Sequence, residues 1–174
     1  IAIRFEQKFG HKLTVSYGSS GKIYAQLKHG APFDVFLSAD QEKPKALIEQ
    51  GMVVDSSRIT YAYGGLAVAS VYPELITNVK ETLQSGAYKK LALANPKLAP
   101  YGAAAVEVLQ KLEINELARR HWVQGENIAQ TYQFVATGNA DLGFIAMSQI
   151  KSKSSKKRMA NWVVPTSLYS PIKQ

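Results

Sequence analysis

Lys12-Leu-Thr-Val-Ser-Tyr17-Gly18-Ser19-Ser20-Gly21-Lys-Ile-Tyr-Ala-Gln-Leu-Lys-His29-Gly30 is the stretch whose reading decides the fold. Lys12–Tyr17 reads as a strand, and Gly18–Gly21 as a tight turn. A helix then runs to about His29, with Ile23, Tyr24 and Leu27 on one face and Gly30 as its stop. Two hydroxyls bracketed by glycines therefore open a helix directly after a strand. A helix start leaves backbone N–H groups without intrahelical partners, at the positive end of the helix dipole, so it attracts anions. A plain serine N-cap, worth about 1 kcal/mol to the helix, accounts for the same residues without a ligand.

Working outward, residues 1–10 read as the tail of a helix closed by Gly10. Pro32-Phe-Asp-Val-Phe-Leu37 reads as a buried parallel strand, and Ser38-Ala-Asp40 as the cap of a helix over Gln41–Gln50 that ends at Gly51. Strand, helix, strand, helix is the cadence of an α/β fold with a parallel sheet, and such sheets bind ligands at the carboxyl ends of their strands. The chain is β again from Arg58 to Ser70, where Gly64-Gly65 marks a bend or a crossover between lobes. Pro73–Leu83 reads as a helix, Lys90–Ala94 as a strand, and Pro100-Tyr101-Gly102 as the start of a helix lasting to about Leu112. A short helix over Asn115–Arg120 follows, then a helix opened by Glu126-Asn127-Ile128 that ends at Thr137-Gly138. Asp141–Ala146 and Trp162–Pro165 read as strands. The helix starts at Ser19-Ser20, Pro100-Tyr101 and Asn127-Ile128, from either side of the crossover, can surround a small anion with uncharged donors.

Composition narrows the alternatives. The 174 residues allow one large domain or two small lobes, with 46% apolar residues and no run near the about 20 apolar residues of a membrane span. No cysteine is present, so disulfides and thiolate metal sites are excluded. The net charge of +8 suits nucleic acid, an acidic membrane face or a field that draws in small anions. Part of it lies in Lys151-Ser-Lys-Ser-Ser-Lys-Lys-Arg158, which reads as a solvated loop; no aromatic is interleaved as a single-strand binder requires. His11, His29 and His121 lack partners at metal-ligand spacing, and there is no Gly-x-Ser-x-Gly elbow and no Walker loop. Asp40 reads as a helix cap, Asp34 and Asp141 as turn or surface residues, and the tyrosines at 17, 24, 61, 63 and 101 mostly as packing. Residues 1–30 do not read as a signal peptide. Ile1 reads as lying within a helix already under way, and Tyr169–Gln174 as the approach to another strand, so the expectation is a sequence that starts and stops inside a larger fold.

Ser19-Ser20-Gly21, Gly30-Ala-Pro-Phe-Asp-Val-Phe-Leu-Ser-Ala-Asp40, Asn95-Pro-x-x-Ala-Pro-Tyr-Gly102, Gly125-Glu-Asn-Ile128 and Gly138-Asn-Ala-Asp-Leu-Gly143 occur in one order over nearly the whole chain. That order resembles the periplasmic molybdate-binding proteins of ABC-type uptake systems. The resemblance implies a two-lobe type II periplasmic binding protein fold, incomplete here at both termini. Lobe I spans residues 1–62 with 169–174 returning to it, its first strand and C-terminal segment absent; lobe II spans 63–168. It implies capture of molybdate or tungstate between the lobes, for delivery to the membrane permease of an ABC importer. It further implies a periplasmic monomer that is not an enzyme, takes no cofactor and no directly ligated metal, and does not bind nucleic acid. Ser20 matches the family serine that offers hydroxyl and N–H to the oxyanion, with Ser19 beside it, and Tyr101 and Ile128 match positions that offer backbone N–H groups. Ala146 stands where some members carry a tyrosine that reaches the anion. That departure points to the branch that uses a polar pair from the first strand–helix loop instead, upstream of Ile1. The alternative function is an anion-sensing effector domain of a transcription regulator with the same fold.

Overall fold

A computed structural model describes residues 2–151 and 159–174. The basic run is outside the described residues except for Lys151. Helix α1 (Ala2–Phe9) ends at Gly10, whose φ of +73° favours glycine. Helices α2 (Ser20–Lys28) and α3 (Glu42–Glu49) follow, the first stopped by Gly30 at φ +82° and the second by Gly51 at +65°.

Strand β1 (Tyr63–Gly64) pairs antiparallel with β7 (Ile172–Lys173), whereas β2 (Leu66–Ser70) enters a larger sheet, so the chain changes sheets at Gly65. The larger sheet also holds β3 (Leu91–Ala94), β4 (Trp122–Gly125), β5 (Leu142–Ala146) and β6 (Ala160–Val163), in the order β4-β3-β5-β2-β6. β4, β3 and β5 run parallel, and β2 runs antiparallel to both β5 and β6. The sheet is therefore mixed rather than parallel as the sequence cadence implied.

Every residue of β2, β3 and β5 is buried, as expected for strands covered on both faces. Alternate residues serve opposite faces. Leu66, Val68, Leu91, Leu93, Leu142 and Phe144 belong to one core with Ala105, Val108 and Leu109 of α6 (Pro100–Lys111). Ala69, Ala92 and Ile145 belong to a second core with Val135 of α8 (Ile128–Ala136). The second face uses small residues because α8 lies close to the sheet: a Cβ on Gly143 would overlap the Val135 side chain. Close seating of α6 and α8 on a fully buried sheet gives their N-termini a rigid support.

Three local expectations change. Lys12–Tyr17 and Pro32–Leu37 form no strand; Leu13 and Val15 are 41% and 46% exposed, and Val35 is 75% exposed. A strand needs a hydrogen-bonded neighbour, and among the described residues neither segment has one. The helix expected over Pro73–Leu83 is two, α4 (Glu74–Thr77) and α5 (Val79–Ser85), broken at Asn78 (φ −129°, ψ 65°). The short helix α7 (Asn115–Arg119) leads into β4, a strand the sequence reading did not include.

Candidate functional site

Among the described residues, the three helix starts singled out in the sequence each leave one backbone N–H open, by three different devices. At α2, Ser19 has extended dihedrals (φ −70°, ψ 149°), and its Oγ accepts the Lys22 N–H at 3.4 Å. The Gly21 N–H donates to the Leu98 carbonyl at 2.9 Å. The N–H of Ser20 then has no acceptor among the described residues. Ser20 Oγ accepts the Ala39 N–H at 2.9 Å, which leaves the hydroxyl proton available for donation. Both serines are buried.

At α6 the first helical residue is Pro100, which has no N–H to satisfy and a φ already suited to the helix. Gly102 and Ala103 both donate to the Ala99 carbonyl, at 2.8 and 3.1 Å. The N–H between them, on Tyr101, meets no acceptor among the described residues. A Cβ on Gly102 would overlap the Ala94 carbonyl oxygen, so glycine is what lets α6 start directly on the end of β3. The Tyr101 ring plays a separate, structural part. It is buried beneath Gly64, and its hydroxyl accepts from Gln174 Nε2 at 2.8 Å. Burial raises its pKa above the ordinary tyrosine value, against a lowering by the Gln174 bond; the neighbouring Tyr61 and Tyr169 raise it further.

At α8, Asn127 is the cap, and its Oδ1 accepts from both Ala129 and Gln130, at 3.0 and 2.9 Å. Ile128, the first helical residue, keeps its N–H open among the described residues. Its carbonyl accepts from Gln149 Nε2 at 3.0 Å.

These starts lie together. Ala94 and Gly125, the last residues of β3 and β4, are register partners, so α6 and α8 arise side by side at the carboxyl ends of parallel strands. The Asn95 N–H donates to Gly125 O at 2.7 Å and ties the two loops. The Gly21–Leu98 bond brings α2 onto the α6 loop, where a Cβ on Gly21 would meet the Leu98 backbone at 3.0 Å. Lys22 Nζ lies 3.5 Å from Glu126 Oε2, two residues before Ile128. Ser19, Ser20, Tyr101 and Ile128 are thus brought to one region by contacts between their own loops.

An open cavity of about 430 Å³ lies beside this region, lined by the start of α3, the α6 loop and residues 170–173. None of Ser19, Ser20, Tyr101 or Ile128 lines it, and its wall carries three carboxylates, on Asp40, Glu42 and Glu107, alongside three ammonium groups, on Lys43, Lys97 and Lys173. Volume and donor chemistry therefore mark different places, and for an anion the donor cluster is the better candidate because its N–H groups lack acceptors among the described residues, whereas the cavity wall balances its own charges, as in the Asp40–Lys43 pair. Among the described residues no three His, Cys, Asp or Glu side chains could share a metal ion. Asp40 accepts the Lys43 N–H at 3.0 Å and pairs with its ammonium at 2.6 Å, in line with the cap reading. Asp141 Oδ2 accepts the N–H groups of Lys89 and Lys90, both at 2.8 Å, a turn role. His29 Nδ1 bonds the Ala25 carbonyl and His121 Nδ1 the Lys89 carbonyl.

Sequence reasoning did not include Ala39 as the partner of the Ser20 hydroxyl, nor the bond from Gln149 to Ile128. The first joins residues far apart in the chain and left no local trace. The second had one, since Gln149 stands three residues after Ala146, at the spacing of a helix-capping glutamine.

The sequence profile of the bacterial extracellular solute-binding proteins matches residues 1–174, and the chain belongs to that family. It has the α/β fold of type II periplasmic binding proteins, and it is a solute-binding protein rather than an enzyme. Among its relatives, the molybdate-binding protein ModA of Azotobacter vinelandii is 47% identical over 174 residues, 100% of this chain and 69% of the relative. ModA of Rhodobacter capsulatus is 45% identical over 174 residues, 100% of this chain and 68% of the relative. The solved periplasmic molybdate-binding protein of Azotobacter vinelandii superimposes with a TM-score of 0.93 at 38% identity, covering 99% of this chain and 75% of that one. These relatives support solute binding and lend nothing to the regulator alternative. Among the described residues, no helix is long and apolar enough to cross a membrane.

Proposed function

We propose that this chain captures molybdate or tungstate between two lobes and delivers it, in the periplasm, to the membrane permease of an ABC importer. Lobe I comprises residues 1–62 with 169–174, and lobe II residues 63–168. The observation that carries the reading is that three helix starts tied to one another each keep an open N–H among the described residues, on Ser20, Tyr101 and Ile128, with the Ser20 and Ser19 hydroxyls on the same loops. The similarity to molybdate-binding relatives supports the same ligand.

The chemistry fits the donor set. A fully ionised tetrahedral oxyanion only accepts hydrogen bonds, and bonds to a charged acceptor are about twice as strong as neutral ones. Lining the site with N–H and O–H groups satisfies its oxygens without a carboxylate to repel them. Sulfate presents the same acceptors, so cavity size has to discriminate. The protein acts as a monomer, and the lobes close on the anion.

Calorimetric titration of the full-length protein with molybdate, tungstate, sulfate and phosphate tests the proposal. The expected result is tight binding of the first two and far weaker binding of sulfate. Micromolar or weaker binding of molybdate and tungstate, with sulfate equally good, would overturn it.

A further inference from the structure

β5 ends at Ala146 and turns at once into the one-turn helix α9 (Met147–Ile150). Gln149, on this turn, is half-buried and uses both ends of its amide. Its Oε1 accepts the Ala146 N–H at 2.9 Å, and its Nε2 donates to the Ile128 carbonyl at 3.0 Å. The first bond is half of a capping box and serves α9. The second does nothing for α9; it reaches across to the first residue of α8. One acceptor end and one donor end are both required, which an amide supplies and a carboxylate or an alkyl chain does not.

We infer that Gln149 is a positioning residue for the oxyanion site. It fixes the Ile128–Ala129 peptide to the end of β5, and so restrains the start of α8 next to the peptide that carries the Ile128 N–H. Asn127 already accepts the next two N–H groups of that helix. The Ile128 residue is thereby gripped at its carbonyl by Gln149 and flanked by the Asn127 cap, with its own N–H left without an acceptor among the described residues. Position matters because a hydrogen bond weakens steeply as donor and acceptor lose alignment. The inference rests on the proposed oxyanion function of Ile128, but the clamp itself can be measured without any anion.

The test uses the full-length protein with Gln149→Glu and Gln149→Leu. The glutamate retains the acceptor for Ala146 and loses the donor to Ile128, whereas the leucine loses both. Amide hydrogen exchange at Ala129 and Gln130 is followed without anion, and molybdate affinity by calorimetry. Gln149→Glu is expected to speed exchange at both amides, which reads the clamp without any anion, and to weaken molybdate binding at least roughly tenfold, the lost hydrogen bond and the repulsion from the added carboxylate acting together, while its urea midpoint stays near that of the parent. Gln149→Leu is expected to show the same exchange change with a lower midpoint as well. Parental exchange and affinity in Gln149→Glu, with only Gln149→Leu impaired, would reduce Gln149 to a cap for α9 and overturn the inference. A parent protein that binds no molybdate refutes the oxyanion reading instead, and unchanged exchange in Gln149→Glu then still refutes the clamp.

Discussion

Ser20→Ala is the most direct probe of the site, because the Ser20 hydroxyl has two separable roles. Its oxygen accepts the Ala39 N–H at 2.9 Å, and its proton points to no protein acceptor among the described residues. Removing a donor to a charged ligand costs about 1.5–3 kcal/mol, so molybdate affinity should fall roughly ten- to 150-fold. Removing the acceptor leaves the half-buried Ala39 N–H unpaired and should lower the stability of the anion-free protein by about 1 kcal/mol. Calorimetry reads the first effect and urea unfolding without anion the second. Unchanged affinity together with reduced stability would show that the hydroxyl serves Ala39 alone and would move the site elsewhere. Ser19→Ala removes the neighbouring hydroxyl of the proposed site. Its bond to Lys22 is long, at 3.4 Å, so the expected loss is that of a helix cap, about 1 kcal/mol in stability.

Gly102→Ala would drive a Cβ into the Ala94 carbonyl oxygen, which is backbone and unable to step aside; the expected destabilisation is about 1–3 kcal/mol by urea unfolding, with weaker anion binding because the α6 start must shift. Asn127→Ala removes the acceptor of two N–H groups, and should lower stability by about 1 kcal/mol and speed exchange at Ala129 and Gln130. Tyr61, Tyr88 and Tyr101 all have pKa values raised above 10.0 by burial, so the folded state holds these protons more tightly than the unfolded one. Their contribution is therefore complete below pH 10 and is lost as the pH rises past it. The urea midpoint should fall on that side only, and less so in Tyr88→Phe, whose parent hydroxyl is buried without a partner among the described residues.

The parts of the molecule legible in the sequence are those set by neighbouring residues. Ser19, Pro100 and Asn127 open helices through their own side-chain or ring chemistry, and Gly10, Gly30 and Gly51 close them through a positive φ that glycine tolerates. Each such feature could be located to within a residue or two. Strands resist this treatment because a strand is a relation between segments. Lys12–Tyr17 and Pro32–Leu37 have the residue types of strands and no ladder, while Trp122-Val-Gln-Gly125 has a weak pattern and pairs in register with β3. The antiparallel insertion of β2 between β5 and β6 is equally a matter of partners, which is why the sheet could be placed as α/β and its mixed directions could not. The helix starts that carry the four candidate site residues were legible locally, whereas the roles of Ser19, Ser20, Tyr101 and Ile128 came from the resemblance to the molybdate-binding proteins. Their supports, Ala39 and Gln149, act across the chain.

A helix start ordinarily leaves its first N–H groups to water, so exposing them costs the fold little. Here, among the described residues, each start has been narrowed to a single open donor: Ser19 and Leu98 occupy the neighbours of Ser20, Pro100 and Ala99 those of Tyr101, and Asn127 those of Ile128. Narrowing matters more for selectivity than for strength. A lysine in the same place would follow any anion across several ångströms, since its charge acts at long range on a flexible stem. A backbone N–H held at both ends acts only along its own direction, so it rewards an oxygen at one distance and neglects one displaced from it. The chain's surplus of +8 can raise the local concentration of every anion alike. On the proposed function, discrimination between a larger and a smaller tetrahedral anion then falls to the spacing of donors that cannot follow the smaller one inward.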